Sequence, residues 1–152
     1  MIPESIKKEL LARCQQYIDE RVSRIKNKIA DIQESLTSET KSTAGDKHET
    51  GRAMLQLERE KAGHQLAEIQ KLQQILAKVS TTSDTVNIRL GSVVYTTQAN
   101  YYISISAGVL QLENEQFYAI APDTPIGKLL IGKQAGDLIT FNQKTITITK
   151  TL

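Results

Sequence analysis

The chain has 152 residues, 39% of them apolar and 24% charged, which is enough for one domain or two small ones and too apolar for a disordered polymer. A net charge of +2 lacks the strongly basic surface that free nucleic-acid binding uses. The single cysteine, Cys14, excludes an internal disulfide and any cysteine-built zinc set. No apolar run reaches the ~20 residues that span a bilayer, and Met1-Ile2-Pro3-Glu4-Ser5 has neither the basic nor the apolar segment of a signal peptide. A cytoplasmic protein without membrane association is expected.

Composition divides the chain. Every aromatic residue except Tyr17 follows residue 90, and residues 1–80 hold 14 basic and 12 acidic side chains against 5 of each in residues 81–152. Two architectures are therefore joined near Ser80–Thr85. The spacing predicts a first helix from about Ser5, with Leu11, Cys14, Ile18, Val22, Ile25, Ile29, Ile32 and Leu36 on one side. From Ile18 onward these form a heptad-type seam, preceded by a stutter. Cys14 is expected half-buried in it. About 35 residues at 1.5 Å each make a helix of roughly 50 Å, which should project. The pattern dissolves over Thr37–Thr43, whose hydroxyls favour caps and turns, and Gly45 favours a chain reversal.

A second helix is expected from Asp46 to about Val79, carrying Met54, Leu57, Ala62, Leu66, Ile69, Leu72, Leu76 and Val79. Lys61 and His64 interrupt its seam, so the distal half of the pair should be the looser half. A short connection makes the two helices antiparallel neighbours; a homodimeric coiled coil is the rival arrangement. Residues 1–80 thus read as a coiled-coil finger with its tip at about 37–53, and residues 81–85 as a polar linker.

From residue 86 the period changes to 2. Strands are expected at Val86–Leu90, Ser92–Thr97, Tyr101–Ser106, Gln116–Ala121, Asp137–Phe141 and Thr145–Thr149, all antiparallel. Gly91, Gly108, Glu113–Asn114 and Asn142–Gln143 mark turns. One short helix follows Asp123 or Thr124 as cap and Pro125, buries Leu129 and Leu130, and ends at Gly132. The fold class is α+β: a long antiparallel helical hairpin, then a small β domain with one short helix.

The densest chemistry lies in residues 41–54. Asp46 and Glu49 stand one helical turn apart, and two such carboxylates can share a hard cation such as Mg²⁺ if a partner supplies the other ligands. The plainer reading is a helix start, where acids favour the positive end of the dipole. Lys41, Lys47 and Arg52 add positive charge, either for solubility or as contacts to a phosphate backbone. His48 and His64 read as surface residues. No nucleophile elbow, phosphate loop, metalloprotease helix or dinucleotide fingerprint is present.

Two stretches resemble the bacterial Gre transcript-cleavage factors. Gly45-Asp46-Lys47-His48-Glu49 matches the first half of that family's tip motif, G-D-x-x-E-N-A-E-Y. Thr124-Pro125-Ile126-Gly127-Lys128-Leu129-Leu130-Ile131-Gly132-Lys133-Gln134-Ala135-Gly136-Asp137 follows its C-terminal pattern, S-P-x-G-x-A-L-x-G-x-x-x-G-D. The resemblance covers nearly the whole chain. It implies a coiled-coil finger that enters the secondary channel of RNA polymerase and an FKBP-like C-terminal domain at the channel mouth. It also implies that Asp46 and Glu49 help hold a second Mg²⁺ in the polymerase active site, where backtracked RNA is cleaved near its 3′ end. No cofactor is intrinsic, no complete active site belongs to the chain, and a free monomer is expected. After Glu49, however, Thr50-Gly51-Arg52-Ala53 replaces the family's N-A-E-Y. The alternative is a regulator that occupies the channel without cleavage. A third reading, a peptidyl-prolyl isomerase, would need an apolar aromatic pocket, and this chain has no Trp and only Phe117 and Phe141 as Phe.

Overall fold

The computed structural model describes the backbone of residues 2–41, 46–83 and 86–152, with side chains throughout except at 39–41 and 46–49. Its elements are α1 (Pro3–Lys41), α2 (Asp46–Ala77), β1 (Val93–Thr96), β2 (Asn100–Ile103), β3 (Gly108–Leu112), β4 (Glu115–Ile120), α3 (Pro125–Leu130), β5 (Leu138–Phe141) and β6 (Lys144–Thr151). They form two compact units, one of residues 18–73 and one of residues 1–17 with 74–152.

Residues 18–73 form a helical hairpin that closes within the chain. Arg59 Nε donates to Gln33 Oε1 at 3.3 Å, while Ile25 and Ile69 line one groove. The paired numbers rise on one helix as they fall on the other, so the helices are antiparallel. On α1 the expected seam is present: Ile18, Ile32 and Leu36 are buried, and Ile25 and Ile29 are half-buried.

On α2 the seam differs from expectation before Ala62. Met54 and Leu57 are 62% and 67% exposed; from Ala62 on the expected residues hold, with Ala62 and Leu76 buried and Leu66, Ile69 and Leu72 half-buried, while Leu55, seven before Ala62, is half-buried in the distal part. Leu55 takes the inner position that the sequence reading gave to its neighbours. Helix α1 also continues through Thr37, Ser38 and Thr40 to Lys41. There Thr37 Oγ1 donates to the carbonyl of Gln33, one turn back, at 3.0 Å; the hydroxyl bonds within the helix and does not end it. Helix α2 closes two residues early, as Lys78 N–H and Val79 N–H bond the carbonyls three residues back at 3.0 and 3.1 Å.

The second unit is built on a six-stranded sheet in the order β3-β4-β2-β1-β6-β5. The expected antiparallel sheet is mixed at one place: β2 and β4 run parallel, Tyr101 opposite Tyr118. A crossover through β3 returns the chain to the same direction. Strand β3, read from the sequence only as a turn at Gly108, is an edge strand paired along its length with β4. The expected strand at 86–90 is absent. Ile88 is buried, but its N–H bonds Lys133 O and its carbonyl accepts from Gly132 N–H, both at 2.8 Å, so it pairs with the turn after α3.

Alternation places two apolar layers on the sheet. One face carries Val94, Ile103, Ile146 and Ile148 and packs with Ile126 and Leu130 of α3, with Ile88 and with Ile139. The other carries Val93, Tyr102, Leu110, Leu112, Phe117 and Ala119, all buried, and the first turns of α1 cover it. Cys14, expected half-buried, is fully buried there, its Sγ 3.5 Å from Ser104 Oγ. Ile6 lies beside Phe117 and Leu112, and Lys7 Nζ donates to Thr82 O at 2.8 Å.

Candidate functional site

Helix α2 begins at Asp46, so Asp46 and Glu49 occupy its first turn, spaced i, i+3 on a helix immediately after the connection from α1. Their side chains lie outside the described residues, as do those of Lys41, the last residue of α1, and Lys47 and His48. Residues 42–45, including Gly45 of the tip motif, are outside them altogether. Arg52 is described: it is exposed, one turn after Glu49, and it takes part in a polar contact. Gly51 beside it is half-buried inside the helix, where glycine costs about 1 kcal/mol relative to alanine. Placed by backbone alone, the two acids sit where four helix N–H groups lack intrahelical partners, a position that favours negative charge. Two carboxylates are too few for a Mg²⁺ site, which takes about six oxygens. Among the described residues no group of three or more His, Cys, Asp or Glu converges.

The second motif, Thr124–Asp137, is fully described, and its unusual residues have structural work. Thr124 caps α3: its Oγ1 accepts from Gly127 N–H at 3.1 Å and donates to Ala121 O at 2.8 Å. Pro125 follows in the first turn, where its missing N–H costs nothing. Gly127 is buried against the preceding loop. A Cβ there would meet Ala121 O, Thr124 Oγ1 and Pro122 O. Gly132 and Gly136 hold φ of 82° and 96°, conformations that favour glycine. Asp137 Oδ2 accepts from Gln134 N–H at 2.8 Å, and its carbonyl accepts from Ile148 N–H at 2.9 Å, joining the turn to the sheet. The motif therefore specifies how α3 is seated and how β5 begins. It identifies an architecture and places no reactive group.

A cavity of about 200 Å³ lies on the α1-covered face of the sheet, lined by Ile6, Tyr95, Leu112, Glu113, Glu115, Phe117 and Lys150. The Phe117 and Tyr95 rings pack in a T-shaped pair, centroids 5.8 Å apart at 77°, and Lys150 Nζ lies over the Tyr95 ring, 5.5 Å from its centroid. Burial, then the charge of Glu115, pushes the Tyr95 phenol above its ordinary range. The sequence reading did not find this site. Its lining comes from four separated stretches, and nothing local marks them.

No helix among the described residues is long and apolar enough to cross a membrane. No known family model matches the chain, and no curated protein matches it. Among solved structures it is similar to one described as the structure of the transcription factor Gfh1, at 18% identity over 93% of this chain and 92% of that one, with a TM-score of 0.34. A score of that size transfers neither architecture nor role.

Proposed function

We propose that the chain is a Gre-like transcription elongation factor. Its hairpin enters the secondary channel of RNA polymerase and brings Asp46 and Glu49 to the polymerase active site, where they promote hydrolysis of backtracked RNA. The observation that carries this reading is the position of the two acids: the first turn of α2, at the far end of a hairpin formed within one chain. The likeness of Thr124–Asp137 to the Gre C-terminal pattern agrees with this reading; its Gly and Pro residues have backbone roles in seating α3 and place no reactive group. Mg²⁺ held jointly with the polymerase would supply Lewis-acid activation of a water. The chain's part is to present two oxygen-donor groups one helical turn apart at the end of the hairpin. Lys41, Lys47 and Arg52, close to the pair in sequence, supply positive charge of the kind that contacts RNA phosphates. The protein is then cytoplasmic, monomeric when free, and has no complete active site of its own.

The replacement of N-A-E-Y by Thr50-Gly51-Arg52-Ala53 favours a second reading, a regulator that occupies the channel without stimulating cleavage. A peptidyl-prolyl isomerase has less support, since the cavity beside Phe117 carries three charged side chains where such an enzyme needs an apolar lining. The test is transcript cleavage in stalled, backtracked complexes of the cognate polymerase, with the natural chain, Asp46→Ala and Glu49→Ala. The first reading expects cleavage that falls at least about a hundredfold in each variant, in the range lost with one key electrostatic group. Binding without cleavage would replace it with the regulator; no binding would end both.

A further inference from the structure

The cavity between Tyr95 and the β3–β4 hairpin has a composition that serves no evident purpose in the sheet. Its floor is apolar and buried: Ile6, Leu112 and Phe117. Its wall is the Tyr95 ring, which stands at 77° to the Phe117 ring. Its rim carries two carboxylates, Glu113 and Glu115, on a hairpin held by strand pairing. Leu112 pairs with Glu115, and Gln111 Nε2 donates to Glu113 O at 3.0 Å. The chain's own Lys150 reaches over the ring. Aromatic faces attract cations because the ring quadrupole is negative above the plane, and nearby carboxylates add to that field.

We propose that this cavity is a binding site for an organic monocation, an ammonium or guanidinium group, and that Lys150 is its intramolecular stand-in. The inference is independent of the transcriptional reading. A volume of about 200 Å³ holds one such head group and is smaller than the ~300 Å³ at which sites for drug-sized ligands begin. With Lys150 in place the three rim charges sum to −1; with its flexible stem swung out they sum to −2, which favours an incoming cation. Lys150 is exposed, so its displacement breaks no buried contact. A guanidinium would stack flat on Tyr95 and reach both carboxylates, whereas an ammonium would reach one. The cation can belong to a free amine or to a basic side chain of a peptide.

The test uses the whole chain and its Lys150→Gln variant, titrated with butylammonium and with N-acetyl-arginine amide, and followed by NMR at Tyr95 and the 113–117 hairpin. Saturable shifts confined to those residues are expected, with affinity about fivefold higher in Lys150→Gln, which lacks the internal competitor. Adding Glu115→Gln should then weaken binding about fivefold and reduce its salt dependence. Tyr95→Leu tests the aromatic wall, and Glu115→Gln, an exposed and isosteric change, keeps the test decisive if Tyr95→Leu fails to fold. A preference for the arginine amide supports the site and assigns it to a protein side chain; equal or better binding of butylammonium supports it and assigns it to a free amine. No saturable shift in Lys150→Gln at millimolar ligand, or an affinity indifferent to Glu115→Gln, overturns the proposal.

Discussion

A methyl group at position 127 would meet three oxygens, two of them backbone carbonyls that cannot swing aside: Ala121 O and Pro122 O. Gly127→Ala should therefore push α3 off the loop that caps it and cost about 2 kcal/mol, as over-packing at a rigid site does. Urea melts of the two proteins would measure it, and a loss under 0.5 kcal/mol would mean that the loop yields. The same residue shows what sequence can reveal at this scale. Thr124, Pro125, Gly127, Gly132 and Gly136 stand out by type and spacing because each answers a backbone demand within a few residues. Tyr95, Glu115 and Lys150 do not stand out. Their relation exists only after β1, β4 and β6 have come together, and no local pattern encodes it.

Helices α1 and α2 show where periodicity succeeds and where it misleads. On α1 the apolar residues are almost all β-branched or Leu at one angular position, and the seam from Ile18 to Leu36 is legible directly. On α2 three large apolar residues, Met54, Leu55 and Leu57, crowd one turn, and only one can face the partner. Counting forward from Met54 selects the wrong ones; counting back by sevens from Leu76 selects Leu55. It follows that Leu57→Gln should change stability by less than about 0.5 kcal/mol, as surface substitutions do. Ile32→Ala, at a 5% exposed seam position, should cost about 2–4 kcal/mol. Thermal or urea unfolding separates the two, and equal losses would return Leu57 to the seam. Strand β3 escaped the sequence reading for a related reason: Gly108 opens it, and its alternation (Leu110 and Leu112 inward) spans only five residues. That is too short to distinguish from a loop before its pairing with β4 is known.

At the scale of the whole molecule, Cys14 and Tyr102, two buried titratable groups, couple the fold to alkaline pH. Burial pushes the Cys14 thiol up, opposed in part by its hydrogen bond to Ser104. Tyr102, whose buried hydroxyl has no hydrogen-bond partner among the described residues, is raised by burial and then by Cys14. Both fold as neutral groups, while the unfolded chain ionises them near their ordinary values of 9.0 and 10.0. Their contribution is therefore complete below about pH 9 and is lost as pH rises beyond it, at up to ~1.4 kcal/mol per pH unit for each group. Unfolding midpoints at constant ionic strength should be level from pH 7 to 8.5 and fall above it. In Cys14→Ala the fall should begin about one unit later; a level profile through pH 10.5 would contradict the assignment. Cys14 also meets Ser104 across 90 positions of chain, and this has a bearing on synthesis. A ribosome adds about 5–20 residues per second, so the apolar side of the first helical turns is made roughly 5–20 s before the strands that cover it. During that interval Ile6, Leu10 and Cys14 wait without the sheet face that buries them, so their shelter depends on strands made later.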